Sequence, residues 1–419
     1  MTQGNDKGGT MRRSWAVLAA TWAAIVWADP AAAIPAFARR YGVECHMCHQ
    51  GFPKLNKTGH RFKERGFRLD QEDAFKPADW LRSIPLRARA SGSRYFPEGG
   101  EAIDTGFVRL TSAGNLGSRV SYWADSGLLF DDSDGTDTYV EPSDAWVRVE
   151  ILPEGKLYAR AGRMELDLPF TQARTPHLFS YPVYFGNAGQ EIDTLGAYHH
   201  ALEVGGLLGG ETYRWSAAVT SGADDPQGDA LFDAAGLPRS SGDFEWNLYV
   251  RASRRGESSR LGLFSYVGRN TLAVAGPVRP QAWQDDLLRV GADADLWPVA
   301  RLNVYGLYLY GRNSDALPDV RGAGGSGRRS SLHGGFVQGD YHLVEKQVEG
   351  FLKEVALALT LRGNWMRRPT PDLASNESAS SVYPGVRFWL RERFRLSFEY
   401  GFEGQGRGDI GAVQAELVF

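Results

Sequence analysis

The chain contains two cysteines, Cys45 and Cys48, and His49 follows the second directly. The spacing C-x-x-C-H sets two thiols to add across the vinyl groups of a haem and a histidine to ligate its iron. The same residues could serve as a structural disulfide, a thioredoxin-like redox pair or half of a zinc site. A redox pair calls for a βαβ context and a zinc site for a second ligand cluster, and the sequence pattern supplies neither. One covalent haem c is therefore expected, held by Cys45 and Cys48, with His49 as the proximal ligand. His60 is the nearest candidate for the distal ligand, which would make the iron six-coordinate and suited to electron transfer; a solvated surface histidine is the plainer alternative. His46 and Met47 lie between the anchoring cysteines and have little freedom to fold over the opposite haem face.

These residues need a frame. Residues 34–80 read as two short helices, the first carrying the motif and the second running from about Asn56 to Phe67, punctuated by Gly51, Pro53, Gly59 and Gly66. Lys54, Lys57, Arg61, Lys63, Arg65 and Arg68 make the second helix basic. That face could steer an acidic electron carrier, or it could meet carboxylates elsewhere in the chain, such as Glu416. So short a segment is too small to enclose a haem unaided, and another part of the chain must cover it.

Ahead of this segment, Arg12 and Arg13 precede the apolar stretch Trp15 to Trp27, and Ala31-Ala32-Ala33 offers a small-residue cleavage site. Residues 1–33 thus read as a signal peptide, which implies export. A formal net charge of -3 suggests no nucleic-acid partner. Fifty glycines, 12 tryptophans and 17 tyrosines point to turn-rich, aromatic-rich β-structure. Past the leader, no stretch approaches the ~18 to 20 apolar residues of a membrane helix, so entry into a membrane would require a barrel.

From Ile84 to Phe419 the sequence alternates apolar and polar residues in strand-length runs. Leu248 and Val250 alternate with Asn247 and Arg251; Phe398 and Tyr400 alternate with Ser397 and Glu399; Val413, Ala415 and Leu417 alternate with Gln414 and Glu416. Tight connections near Gly114, Pro153, Leu208, Arg254, Trp297, Val344 and Arg391 interleave with longer polar ones. Short periplasmic turns against long outer loops are the signature of an outer-membrane barrel, and fifteen connections imply about 16 antiparallel strands. The terminal Phe419 suits an interfacial aromatic girdle. The expected fold is an all-β transmembrane barrel, residues 84–419, preceded by a small α-helical c-type cytochrome segment that sits on its periplasmic side or enters its lumen.

The stretch Ile34-Pro35-Ala36-Phe37-Ala38-Arg39, followed by Cys45-His46-Met47-Cys48-His49-Gln50-Gly51-Phe52-Pro53-Lys54-Leu55 and then Gly59-His60-Arg61-Phe62-Lys63, resembles the haem segment of the fused outer-membrane monohaem cytochrome-porins of iron-oxidising bacteria. His60 stands where that family commonly has arginine, which weakens a family-wide ligand role for it. The resemblance implies a haem-bearing plug in the barrel, passing electrons between an extracellular donor, Fe(II) in iron oxidisers, and a periplasmic carrier such as a soluble cytochrome, with outer-membrane lipid around it. It implies an electron-transfer protein that could act as an Fe(II) oxidase. A transport porin whose haem plug gates or senses is the second reading, and a periplasmic cytochrome with a soluble β-domain the third.

Within the barrel, Arg109, Arg119, Arg148, Arg160, Arg214, Arg251 and Arg395 are assigned by alternation to the inner face, as propionate partners or as ordinary lumen lining. Asp131, Asp132, Asp134, Asp137, Asp224 and Asp225 lie in acidic loops that could attract Fe(II). His199 and His200 are expected to line the lumen rather than bind metal.

Overall fold

A computed structural model describes residues 37, 41, 43, 47–49, 54–69, 86–131, 138–170, 177–179, 181, 183, 195–196, 198–224, 239–240, 246–274, 281–314, 329–347, 354–368, 377–390, 394–404 and 408–418. The signal-peptide stretch 1–33, Cys45, His46, Asp132, Asp134, Asp137, Asp225 and Phe419 lie outside the described residues.

The strands follow one another around a closed sheet. They are β1 (Leu86–Pro97), β2 (Ile103–Asn115), β3 (Val120–Asp131), β4 (Thr138–Leu152), β5 (Leu157–Glu165) and β6 (Tyr198–Leu208). Next come β7 (Tyr213–Asp224), the two-residue β8 (Arg239–Ser240), β9 (Asn247–Arg255), β10 (Ser259–Val274), β11 (Gln281–Val299) and β12 (Leu302–Asn313). The last are β13 (Ser330–Gln347), β14 (Glu354–Arg368), β15 (Glu377–Leu390), β16 (Phe394–Glu403) and β17 (Ile410–Val418). β8 only adds a short pairing to β10, so the wall has sixteen long antiparallel strands. β17 pairs back onto β1, with Val418 opposite Arg89 and Ile410 opposite Pro97, and the barrel has no free edge.

Side chains along a strand point alternately to the two faces, and here the burial is inverted relative to a soluble core. Leu263 is 66% exposed and Trp246 65%, whereas Arg362 and Arg387 are 1% exposed. The apolar face looks outward and the charged face inward, as a wall surrounded by hydrocarbon requires. Exposed Phe96, Trp246, Trp365 and Phe402 lie toward one rim, Tyr213 and Tyr341 toward the other, in the positions of aromatic girdles. Connections at one end span two to six residues and at the other five to 32.

Two inserts fill the lumen. At the short-turn end sits helix α1 (Lys57–Glu64), capped by Asn56, whose side-chain oxygen accepts a hydrogen bond from the Gly59 amide at 3.0 Å. It ends in a Schellman closure, Phe67 N–H donating to Phe62 O at 2.9 Å and Gly66 N–H to Lys63 O at 3.1 Å, with both Gly66 and Phe67 at positive φ. From the other end, the described residues of the β5–β6 connection turn inward. His177 reaches Tyr305 on β12 and Glu399 on β16, strands far from β5 and β6 in the sheet order, so this connection crosses the lumen. Leu166, Leu168, Phe170, Tyr181, Val183 and Leu195 pack there against Tyr249, Phe264, Tyr305, Leu307 and Phe336 of the wall.

Three expectations change. The second helix is shorter than Asn56–Phe67, because Asn56 is the cap outside it and the left-handed Gly66 and Phe67 end it. The described end of the C-x-x-C-H motif is not α-helical: Met47 lies in a 3-10 turn, Cys48 in the turn that follows, and His49 pairs with Leu55 in an isolated bridge. Arg119 belongs to the exposed turn between β2 and β3, not to the inner face. Among the described residues, no helix is long and apolar enough to cross a membrane.

Candidate functional site

The turn that ends the C-x-x-C-H motif is fastened to α1 by one residue. Asn56 donates its backbone N–H to Cys48 O at 2.9 Å and its side-chain N–H to Met47 O at 3.0 Å, while its side-chain oxygen caps the helix. Gly59 then passes so close that a Cβ there would lie 2.1 Å from Cys48 O. Only glycine lets the helix approach the motif this closely. Cys48, His49 and His60 consequently face one cavity of about 310 Å³, at the lower end of the ~300 to 1,000 Å³ usual for small-molecule and cofactor sites.

The plug supplies one part of that cavity, through Phe37, Tyr41, Leu55, Phe62 and Phe67. The wall supplies Trp123 and Trp146, and the inturned connection supplies Leu168, Pro169 and Phe170. The aromatic residues form one stack: Phe37 lies 5.2 Å from Phe67, Phe67 lies 6.0 Å from Trp146, and Trp146 lies 6.5 Å from Trp123. The strained Phe67 is held by its carbonyl, which accepts from Tyr41 Oη at 2.8 Å and from Asn115 Nδ2 at 3.0 Å. Eleven lysines and arginines line the cavity against six aspartates and glutamates. A cationic cavity with flat aromatic walls fits a planar apolar group bearing carboxylates, and with a thiol and two imidazoles in the same space it fits haem c.

Most of the cations are engaged. Arg148 donates to Glu64 O at 2.5 Å, Arg160 pairs with Glu203 at 2.8 Å, Arg214 with Asp167 at 2.5 Å, Arg255 with Glu64 at 2.6 Å, and Arg251 binds Asp293 through both nitrogens at 2.7 and 2.9 Å. Burial first, and then Arg260, Arg255, Lys63 and Arg214, hold the His60 imidazole well below its ordinary pKa and therefore neutral, the form that ligates iron.

The basic residues of the second helix are spent largely on the wall. Arg61 and Arg65 pair with Glu211, and Arg68 with Glu150 at 3.0 Å. Lys54 is buried, hydrogen-bonded to Asn303 and set 3.7 Å above the Tyr305 ring. Glu416 meets Arg89 and Arg395 instead of the plug. Lys57 stays exposed.

Of the inner-face arginines expected from the sequence, Arg109, Arg148, Arg160 and Arg214 and Arg251 line the cavity, and Arg395 is buried in the wall against Glu416. His199 is fully buried on the inner face while His200, its neighbour, is exposed on the outer one, so only the first lines the lumen. Among the described residues, no cluster of three or more His, Cys, Asp or Glu could hold a metal ion. Sequence reasoning named Asn56, Gly59 and Lys54 but missed their roles, and it missed the inward course of the β5–β6 connection. The S/T/D/N-before-helix rule could have found Asn56; nothing local marks the others.

No protein-family model matches the chain, and no curated protein matches it. Solved structures do. The outer-membrane channel DcaP of Acinetobacter baumannii superposes with a TM-score of 0.55 at 10% identity, covering 80% of this chain and 97% of that one. OmpF of Salmonella typhi, in complex with daunomycin, gives 0.53 at 11% identity over 80% and 97%. The anion-selective porin from Comamonas acidovorans gives 0.51 at 12% over 80% and 99%. At these identities the likeness concerns the fold, and the fold is a porin-like, outer-membrane type β-barrel of sixteen strands.

Proposed function

We propose that this chain is an outer-membrane electron-transfer protein, a barrel whose short-turn mouth is plugged by a segment carrying one covalent haem c on Cys45, Cys48 and His49. The observation that carries the reading is the cationic, aromatic cavity into which Cys48, His49 and His60 all face. When bound, the haem supplies a one-electron iron couple. Cys48 anchors it, Asn56 fixes the turn that aims His49, and His60 is placed by α1 to ligate from the second helix. Trp123, Trp146 and Phe67 exclude water, and the lumen arginines offset the charge of the propionates. Short turns face the periplasm in barrels of this kind, which sets the plug toward a periplasmic carrier such as a soluble cytochrome and leaves the long loops toward an extracellular donor, with Fe(II) the donor implied by the resemblance.

The test is haem reduction in intact cells. A membrane-impermeant ferrous donor added outside should reduce the haem band quickly, and the Cys45→Ala, Cys48→Ala protein should show none of this. Reduction only after the outer membrane is breached would exclude an outward-facing donor site. The second reading, a transport porin with a haem-bearing gate, is favoured by the fold shared with the channel DcaP and the anion-selective porin. It requires that the haem-loaded protein pass ions steadily in a planar bilayer. The electron-transfer reading expects a closed lumen.

A further inference from the structure

Among the cavity's cations, Arg260 on β10 is held more loosely than Arg160, Arg214 and Arg251. Its closest carboxylate oxygen, Asp295 Oδ2, is 3.8 Å away, and its NH2 reaches Pro169 O only at 3.5 Å, both at or beyond the limit of a useful hydrogen bond. Its Nε, like those of Arg160 and Arg214, is buried with no hydrogen-bond partner among the described residues, so the difference lies in the other two nitrogens. Asp295 is already engaged, accepting from Asn303 Nδ2 at 2.7 Å and lying 4.0 Å from Lys54 Nζ. Arg251, Arg160 and Arg214, by contrast, each have a carboxylate within 2.5–2.8 Å. Arg260 also stands where the three parts of the cavity converge. It projects from the wall, lies 5.6 Å from the Phe170 ring of the inturned connection, and lines the same cavity as His60 of the plug.

A guanidinium that faces a cationic, aromatic-walled cavity with its fork unmatched is a seat for a carboxylate, because two parallel N–H···O bonds form best with a planar anion. We propose that Arg260 is the cavity's open carboxylate seat and takes a propionate of the haem attached at Cys48 and His49. The assignment rests on the electron-transfer reading and makes Arg260 a positioning residue. Its guanidinium orients the macrocycle within the cavity, and by pairing with the propionate it favours the reduced iron. Arg160, Arg214 and Arg251 keep their protein carboxylates when the cofactor is present.

The experiment compares midpoint potentials of the haem-loaded wild type, R260Q, R260K and, as a lumen-charge control away from the cavity, R289Q, whose arginine donates to the Leu288 and Arg312 carbonyls. R260Q leaves the propionate uncompensated. At a fixed potential the reduced-to-oxidised ratio should fall about tenfold, equivalent to ~59 mV for a one-electron couple, and the pH-dependent part of the potential should move upward in pH as the propionate pKa rises. R289Q should match the wild type. The propionate bending band in resonance Raman spectra should shift in R260K, which keeps charge and loses the fork, and this second readout serves if R260Q fails to assemble. An unchanged potential in R260Q together with an unchanged band in R260K would overturn the assignment, as would an equal shift in R289Q. Lack of covalent haem in the wild type, read from its pyridine haemochrome spectrum, would refute the electron-transfer reading itself and is thereby told apart from a failure at Arg260.

Discussion

The two inserts that fill this lumen are held in opposite ways. The plug is tied down by charge at its rim, with Arg61 and Arg65 on Glu211, Arg68 on Glu150, and Arg148 on the end of α1. Among the described residues, its ring contacts with the wall run from Phe67 to Trp123 and Trp146. The inturned β5–β6 connection is held by a large apolar cluster and one polar knot, in which His177 meets Glu399 at 3.1 Å and Tyr305 at 2.8 Å, and Arg387 meets Glu399 at 2.6 Å. Among the described residues both inserts meet at Tyr305, where Lys54 lies over the ring while His177 bonds the hydroxyl, and at Arg214, which pairs with Glu64 of α1 and Asp167 of the connection. The contrast teaches that the segment bearing the chemistry is docked as a separable unit, while the connection that roofs the cavity is built into the barrel's own core.

The comparison can be broken most severely at the cysteines. Cys45→Ala with Cys48→Ala should abolish haem staining in denaturing gels, yet leave the barrel assembled, since neither the wall nor the β5–β6 connection depends on the motif; loss of heat-modifiable migration in the same protein would show the plug to be integral. Next in size is Phe67→Ala. Truncating a buried aromatic costs about 3 to 5 kcal/mol, here against the docking of the plug alone, so single-channel recordings should reveal an open, ion-passing state absent from the wild type. Gly59→Ala should act on the same insert by forcing α1 off Cys48 O, and a broadened haem spectrum with unchanged thermal unfolding of the barrel is the expected result.

A smaller effect distinguishes the inserts by pH. Burial, then Arg387, lowers the His177 pKa to about 3. The unfolded histidine titrates near 6.5, so between these values the unfolded chain binds a proton that the seated connection does not. The seat is therefore fully stable above about pH 6.5 and loses at most about 1.4 kcal/mol per pH unit as pH falls toward 3. Hydrogen exchange of the β5–β6 connection should rise over that window in the wild type and not in His177→Gln. Smallest is Tyr305→Phe, which leaves the His177 Nε2 without its hydroxyl partner and should destabilise the seat by about 1 to 3 kcal/mol. A thermal shift confined to the plug would contradict the shared-residue arrangement.

The barrel was legible because it is encoded in repetition. Alternation such as Asn247, Tyr249 and Arg251 inward against Leu248 and Val250 outward recurs along each strand, and every tight connection anticipated from Gly114 to Arg391 falls at a short turn. The expectation of a haem rests on C-x-x-C-H, a local constraint of which Cys48 and His49 are among the described residues and Cys45 is not. Less legible was the fate of charge. Arg119, assigned inward by alternation, fell into a turn because the strand ends before it, and the basic helix face, read as steering an acidic carrier or meeting carboxylates of the chain, is mostly consumed by Glu211 and Glu150.

Sequence alone determined the number of strands and their faces and carried the expectation of haem attachment, since each follows from a period or a spacing that neighbours in the chain enforce. Tertiary structure decided what those residues share. Gly59 against Cys48 O, Lys54 and His177 on one tyrosine, and Arg260 left without a close carboxylate all join positions separated by 11 to more than 200 residues. Contacts of that kind depend on where a closed wall brings opposite strands together, and no local pattern of hydrophobicity or charge records it.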